Sequence, residues 1–74
     1  MILHTINKPE KLLSCTELIE DSDLVLLMED GVYLANDPIP GVVHALRTDV
    51  LARGFKILEK QKTKLIDYKE FVEL

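Results

Sequence analysis

The sequence contains little of what usually stabilises a very small protein or supplies its chemistry. Cys15 is the only cysteine among 74 residues, so no disulfide can form within the chain. There is no tryptophan, aromatic residues make up 5% of the chain, and no Cys/His cluster has the spacing of a structural zinc site. Glycine-rich phosphate loops, nucleophile elbows and paired-histidine zinc motifs are also missing. We therefore expect a protein without a cofactor or a metal.

The net charge and the length of the apolar runs argue against two further classes of protein, nucleic-acid-binding and membrane-spanning proteins. The formal net charge is −4, whereas nucleic-acid binding needs a basic surface, so we expect no direct contact with nucleic acid. The longest apolar run, at 24–28, is too short to cross a membrane, and the first residues lack the features of an export signal. We expect a cytoplasmic protein with a reduced Cys15. The one basic cluster, Lys60, Lys62 and Lys64, is interpreted as a solvated loop or helix end.

The length of the chain predicts one domain, over residues 1–74, that needs neighbours. A domain of this size buries roughly 60% of the surface that its unfolded chain exposes. Such domains are usually stabilised by disulfides, a metal or subunit contacts, and the sequence supports only the last of these. Hydrophobic residues make up 47% of the chain, which is enough for an aliphatic core. We expect self-association or a stable partner.

Apolar runs and turn signals alternate along the chain and predict an α/β fold with a small, mainly parallel sheet. The run at 24–28 is apolar at every position, which is typical of a strand covered on both faces. Strands are predicted at 2–6, 24–28, 42–46 and 64–66. Helices are predicted from 7–10 to about 20, at 48–53 and from 67 onward, with a helical turn at 32–35 and some helical character at 55–60. The prolines within 36–41 predict an irregular connection there.

Several polar residues and one glycine are expected to define the helix ends. Asn7 and Thr48 are predicted to cap the first and second helices. Gly54 is predicted to stop the second helix in a left-handed conformation. Asp67 and Glu70 have the spacing of a capping box for the last helix.

Cys15 is the main candidate for chemistry. It lies on or beside an apolar helix face formed by Leu12, Leu18 and Ile19. A free cysteine in such a place is often a small buried hydrophobe. Lys11, one turn earlier, would favour the reactive thiolate instead. The residues alone leave both interpretations open.

The other candidates have simpler interpretations. His4 and His44 are interpreted as core or sheet-edge histidines, which could form a metal or catalytic pair only if the fold brings them together. Asp30 and the following glycine stand at the end of a predicted central strand, where α/β proteins bind ligands, but a turn explains them as well. Arg53 could bind an anion, although a helix-end arginine is the simpler interpretation.

Four segments in order resemble the DsrH/TusB family, whose members are the smallest subunits of DsrEFH and TusBCD sulfur-relay assemblies. These segments read MILHTINK at 1–8, LVLLMEDGV at 24–32, VHALRTDVLARG at 43–54 and IDYKEFVEL at 66–74. The connection at 31–41 is shorter than is usual in the family. The sequence also ends with this last segment, at Leu74, where many relatives continue.

The resemblance implies a three-layer DsrE-like sandwich with a mainly parallel four-stranded sheet. It also implies assembly with DsrE/TusD-like and DsrF/TusC-like subunits, or with further copies of the chain, and delivery to a downstream sulfur acceptor protein. The pathway would be thiolation of the tRNA wobble uridine or cytoplasmic sulfur oxidation. Cys15 falls where the DsrH branch carries a cysteine, which makes it the candidate persulfide carrier. The main sulfur-accepting cysteine of such assemblies belongs to the DsrE/TusD-type subunit.

Three hypotheses follow from the sequence. In the first, the protein is a sulfur-relay subunit and Cys15 carries a persulfide. In the second, it is a non-catalytic subunit that completes a DsrE-like oligomer, and Cys15 only packs. In the third and least favoured, it is a stand-alone domain that binds a ligand beside Asp30.

Overall fold

Four short strands form one parallel sheet in the order in which they occur in the chain. The computed structural model describes residues 2–73. Its strands are β1 (Leu3–Ile6), β2 (Leu24–Leu27), β3 (Val42–Leu46) and β4 (Lys64–Ile66). Its α-helices are α1 (Lys11–Cys15), α2 (Arg47–Ala52) and α3 (Tyr68–Glu73). Two 3-10 helices span Thr16–Leu18 and Glu29–Leu34. None of the helices in this range is both long and apolar enough to traverse a bilayer.

The strand order places all three connections between strands on the same face of the sheet. Parallel crossovers are almost always right-handed, so connections that advance in one direction accumulate on one side. The register brings Ile6, Leu27 and Ala45 into one row on that face. They form the larger core cluster with Val25 of β2 and with residues from every connection: Ile19, Val32, Leu34, Ala35 and Val50.

Within residues 2–73, α3 is the one helix that packs on the opposite face of the sheet. Leu26, Leu46 and Ile66 form a second, smaller cluster, against which Phe71 of α3 packs. Beyond the reach of α3 this face is open, and Val42 is 45% exposed. The predicted three-layer sandwich is confirmed, with an all-parallel sheet and an outer layer of one helix.

The strands agree closely with the sequence-based prediction. β3 and β4 have the predicted bounds, and β1 and β2 differ from the predicted ranges by one residue each. The prediction that both faces of β2 are covered is confirmed. Leu26 and Leu27 are both fully buried, on opposite faces of the sheet. A strand with buried side chains on both faces cannot alternate between polar and apolar residues.

The predicted helix caps are correct at two ends and wrong at two others. Gly54 follows α2 with φ +60°, and the Asp67 backbone N–H donates to the Glu70 carboxylate at 3.0 Å. Asn7 does not cap α1, because the helix begins only at Lys11. Thr48 lies inside α2, since that helix starts at Arg47 directly after β3 without a loop to hold a capping residue.

The segment at 55–60 is not helical, contrary to the prediction. The side chain of Asn36 bonds to backbone groups of this segment. In a helix, those backbone groups would bond to one another. Its amide donates to the Lys56 carbonyl oxygen at 3.0 Å, and its side-chain oxygen accepts from the Leu58 N–H at 2.8 Å. These bonds cross about 20 residues of sequence, so a local pattern could not reveal them.

Candidate functional site

Cys15 is the last residue of α1, at the point where the α-helix becomes a 3-10 helix. Cys15 forms no disulfide and is half-buried as a residue, and its side chain packs against the larger core cluster. Lys11 begins the same helix, so the two residues are one turn apart, as predicted. This position combines contact with the core and access from solvent.

Two hydroxyl groups bind the backbone of α1 close to the end of the helix at Cys15. Ser14 donates to the Lys11 carbonyl oxygen at 3.0 Å, and Thr16 donates to the Leu12 carbonyl oxygen at 2.5 Å. Hydroxyl side chains that bond to the preceding turn compete with the regular helical pattern. The predicted continuation to about residue 20 is wrong, because a 3-10 helix follows at Thr16–Leu18 and Ile19 is extended.

The early end of α1 changes which side chains face the core. Ile19 is buried, but Leu18 is 68% exposed although the sequence predicts it on the same apolar face. The tighter 3-10 turn and the extended conformation of Ile19 account for this rotation. Cys15 consequently lies at the margin of the packed face.

Asp23 holds together the amino-terminal end of the sheet, a role that the sequence did not reveal. Its carboxylate accepts hydrogen bonds from the Glu20 N–H at 3.0 Å, from His4 Nε2 at 2.9 Å and from the Ile2 N–H at 2.9 Å. Its own carbonyl oxygen accepts from the Val42 N–H at 2.8 Å. Asp23 thus joins the starts of β1, β2 and β3. Local sequence indicates only a helix breaker here, because His4, Ile2 and Val42 lie about 20 residues away.

The hydrogen bonds to Asp23 make folding sensitive to acid. The Glu20 N–H, His4 and the Ile2 N–H together lower the pKa of its carboxyl from 3.8 to about 2. The unfolded chain therefore binds a proton more readily, and stability is lost as the pH falls through this interval. Urea unfolding between pH 5 and pH 2 is expected to show a steep fall in the midpoint below about pH 4.

Two variants distinguish the contribution of Asp23 to acid destabilisation from that of the other titratable groups. Asp23→Asn should show a flatter dependence in this interval, because its side chain does not titrate. Asp21→Asn changes an exposed neighbour and should behave like the wild type. Equal pH profiles for all three proteins would contradict the role assigned to Asp23.

The fold does not bring the two histidines together. His4 faces the larger cluster, whereas His44 lies on the opposite face of β3, as their register with Val25 and Leu26 shows. Burial lowers the pKa of His44, the Lys64 ammonium lowers it further, and Glu70 acts in the opposite direction. Within residues 2–73 no three His, Cys, Asp or Glu side chains are grouped so that they could hold a metal ion.

Asp30 lies in the first turn of the 3-10 helix at Glu29–Leu34. Its carboxylate accepts from Arg53 Nε at 2.9 Å, and this hydrogen bond raises the pKa of Arg53. Arg53 Nη1 also donates to the Asp49 carbonyl oxygen of its own helix at 3.3 Å, which agrees with its interpretation as a helix-end arginine. The next residue, Gly31, packs directly against the backbone of Ile6. These contacts favour the turn over a ligand site.

The three lysines form part of a cleft and not only a solvated loop. Lys60, Lys62 and Lys64 are exposed, as predicted, but they line a cavity of about 480 Å³ beside β3 and β4. The opposite wall is the connection that contains Pro38 and Ile39. Spacing along the chain could not show that these two segments face each other.

Comparison with known proteins agrees with this architecture. The family model of the DsrH-like proteins matches residues 7–74. The solution NMR structure of protein Tm0979 from Thermotoga maritima superimposes with a TM-score of 0.74 at 30% sequence identity, and the match covers 99% of this chain and 88% of that one. No curated protein matches the sequence. Since the family model matches most of the chain and this structure has the same fold, the chain belongs to the DsrH-like family.

Proposed function

We propose that the protein is a subunit of a sulfur-relay assembly in which Cys15 carries sulfur as a persulfide. DsrH-like proteins are generally sulfur-relay subunits. The observation that supports a carrier role is the position of Cys15, a half-buried residue at the end of α1. A sulfur atom of another protein can approach a thiol in such a place.

The transfer step needs no external oxidant or reductant. The Cys15 thiolate attacks the outer sulfur of a donor persulfide, and a new S–S bond forms on Cys15. The S–S bond of the donor breaks, and the donor leaves as a thiolate that takes up a proton. A later thiolate attacks the outer sulfur on Cys15 in the same way and regenerates the free thiol.

Loading the purified protein with sodium tetrasulfide tests the carrier role. We expect the intact mass of the wild type to increase by one sulfur atom and that of Cys15→Ser to stay unchanged. Dithiothreitol should reverse the increase, because it attacks the outer sulfur. An equal gain in both proteins, or in neither, would contradict the proposal.

A second variant tests whether the position of the thiol matters. Leu13 is 89% exposed on the same helix, so Leu13→Cys combined with Cys15→Ser moves the only thiol into open solvent. We expect a persulfide on Cys15 to outlast one at position 13 in dilute glutathione, since core contacts shield one side of Cys15. Equal lifetimes would show that Cys15 is an ordinary thiol.

The packing of Cys15 against the core favours a second candidate, a non-catalytic subunit that completes a DsrE-like oligomer. In that case DTNB would modify the thiol of the native protein only after denaturant is added. For a carrier we expect the native thiol to react, although more slowly than the Leu13→Cys/Cys15→Ser control.

The proposed partners are DsrE/TusD-like and DsrF/TusC-like subunits or further copies of this chain, followed by a downstream sulfur acceptor protein. Large apolar side chains on the surface support association. Those more than two-thirds exposed are Leu13 (89%), Leu18 (68%), Leu51 (69%) and Val72 (69%). Thiolation of the tRNA wobble uridine and sulfur oxidation in the cytoplasm are the two pathways proposed for such an assembly.

A further inference from the structure

The cleft beside β3 and β4 has the dimensions of a binding site for a small molecule. Its volume of about 480 Å³ falls within the usual range of such sites. It lies between the connection that leads into β3 and the segment that leads into β4. Cys15 is not among its lining residues.

The charge of the cleft is opposite to that of the protein as a whole. Lys60, Lys62 and Lys64 line it with a single carboxylate, that of Asp37, whereas the whole chain has a net charge of −4. Within residues 2–73 none of the three lysines has a carboxylate oxygen within 4.0 Å. Their ammonium groups are therefore available to an anion, and lysine is a common phosphate ligand.

The facing wall of the cleft is apolar. It consists of aliphatic side chains and proline, and Ile39 and Val43 also pack against the larger core cluster. Val42 adds a side chain that is 45% exposed. None of the lining residues is aromatic, so the cleft provides no platform on which a nucleobase could stack.

Hydrogen bonds join the lysine-bearing wall of the cleft to the residues that immediately precede the other wall. Thr63 Oγ1 donates to the Ala35 carbonyl oxygen at 3.0 Å, and Gln61 Nε2 donates to the Asn36 carbonyl oxygen at 3.2 Å. Both donors belong to the lysine-bearing segment, and both acceptors precede the proline-bearing connection. The charged and apolar walls are thus fixed relative to each other before any ligand arrives.

We propose that this cleft binds a small amphiphilic anion with one phosphate group and a short aliphatic body. The phosphate lies among Lys60, Lys62 and Lys64, and the aliphatic body lies against Ile39 and Val43. This binding is independent of sulfur transfer at Cys15, so either proposal can fail without the other.

Titration of the labelled protein with butyl phosphate, followed by ¹H–¹⁵N NMR at constant ionic strength, tests the proposal. We expect saturable shifts of the amide signals of Ile39, Val43 and Thr63. Inorganic phosphate should bind more weakly, and 1-butanol should give no saturable shift, because each lacks one of the two recognised groups. Failure of butyl phosphate to shift these signals, or binding no tighter than that of inorganic phosphate, would overturn the proposal.

Matched charge reversals test the role of the lysines. The double variant Lys60→Glu/Lys62→Glu should bind butyl phosphate about tenfold or more weakly, because two attractive charges become repulsive. Lys8→Glu/Lys69→Glu changes the net charge equally at exposed positions outside the cleft and should bind as the wild type does. Equal weakening in both double variants would overturn the proposal. So would tighter binding of an acidic peptide, acetyl-Leu-Glu-Leu-Glu-amide, which would indicate a protein partner instead.

Discussion

Replacing Gly31 with alanine is expected to remove most of the stability of the protein. An ideal Cβ at this position would lie 2.0 Å from the Ile6 carbonyl oxygen and 2.8 Å from the Ile6 carbonyl carbon. Both are backbone atoms, so no side chain can rotate away to make room. The same Ile6 oxygen accepts a hydrogen bond from the Met28 N–H at 3.0 Å, and relief of the clash would disturb this link between β1 and β2.

The expected loss is large relative to what so short a chain possesses. Overpacking of a core usually costs about 1–3 kcal/mol, and a clash with backbone exceeds that range. A chain of this length is stable by roughly 4–11 kcal/mol in total. We therefore expect Gly31→Ala to lower the free energy of unfolding by more than about 3 kcal/mol, or to leave the protein unfolded, as judged by urea titration and NMR dispersion.

Gly54→Ala provides the matched control. Gly54 has φ +60°, but an ideal Cβ at this position would have no heavy atom within 4 Å, so the substitution adds only backbone strain. Such left-handed strain costs about 1–2 kcal/mol. If Gly31→Ala proved no more destabilising than Gly54→Ala, the close approach of the turn to β1 would be refuted.

The second large effect is expected at Leu27, in the larger core cluster. Leu27 is fully buried under the connections that cross this face of the sheet. Truncation of a buried leucine to alanine costs about 2–5 kcal/mol, and the cost is highest where the surroundings cannot collapse. Because several chain segments enclose Leu27, we expect Leu27→Ala to lower the free energy of unfolding by about 4–5 kcal/mol.

Leu26→Ala tests whether the face of the sheet under α3 is packed less rigidly than the face under the three connections. Leu26 is equally buried, but among the described residues only Met28 and the Phe71 side chain of α3 pack against its cluster, and this single helix can move inward to fill part of the cavity. A loss of about 2–3 kcal/mol is expected, and Leu13→Ala, at an 89% exposed position, should cost less than about 0.5 kcal/mol. Urea unfolding gives all three values. A larger loss for Leu26→Ala than for Leu27→Ala would show that α3 holds its face as rigidly as the connections hold theirs.

The candidate site was predictable only in part. The assignment of Cys15 to the first helix and its distance of one turn from Lys11 followed from the sequence, since both depend on local periodicity. The end of the helix at Cys15 did not, because the apolar spacing continues to Ile19 although the backbone changes to a 3-10 helix at Thr16. Apolar periodicity alone cannot show where an α-helix changes to a 3-10 helix.

Local chemistry was enough to place most elements of this protein. The bounds of β3 and β4, the left-handed stop at Gly54 and the pairing of Asp67 with Glu70 each depend on residues close together in the chain. The ordered segments of the sequence were also sufficient to suggest the DsrH-like family.

Contacts between distant segments decided the rest. The burial of Asp23 beside His4, the approach of Gly31 to Ile6 and the cleft beside the lysines all join residues about 20 or more positions apart. Such contacts depend on which strands become neighbours and on which face each connection lies. Strand order and handedness are properties of the whole chain, so only the tertiary structure determines them.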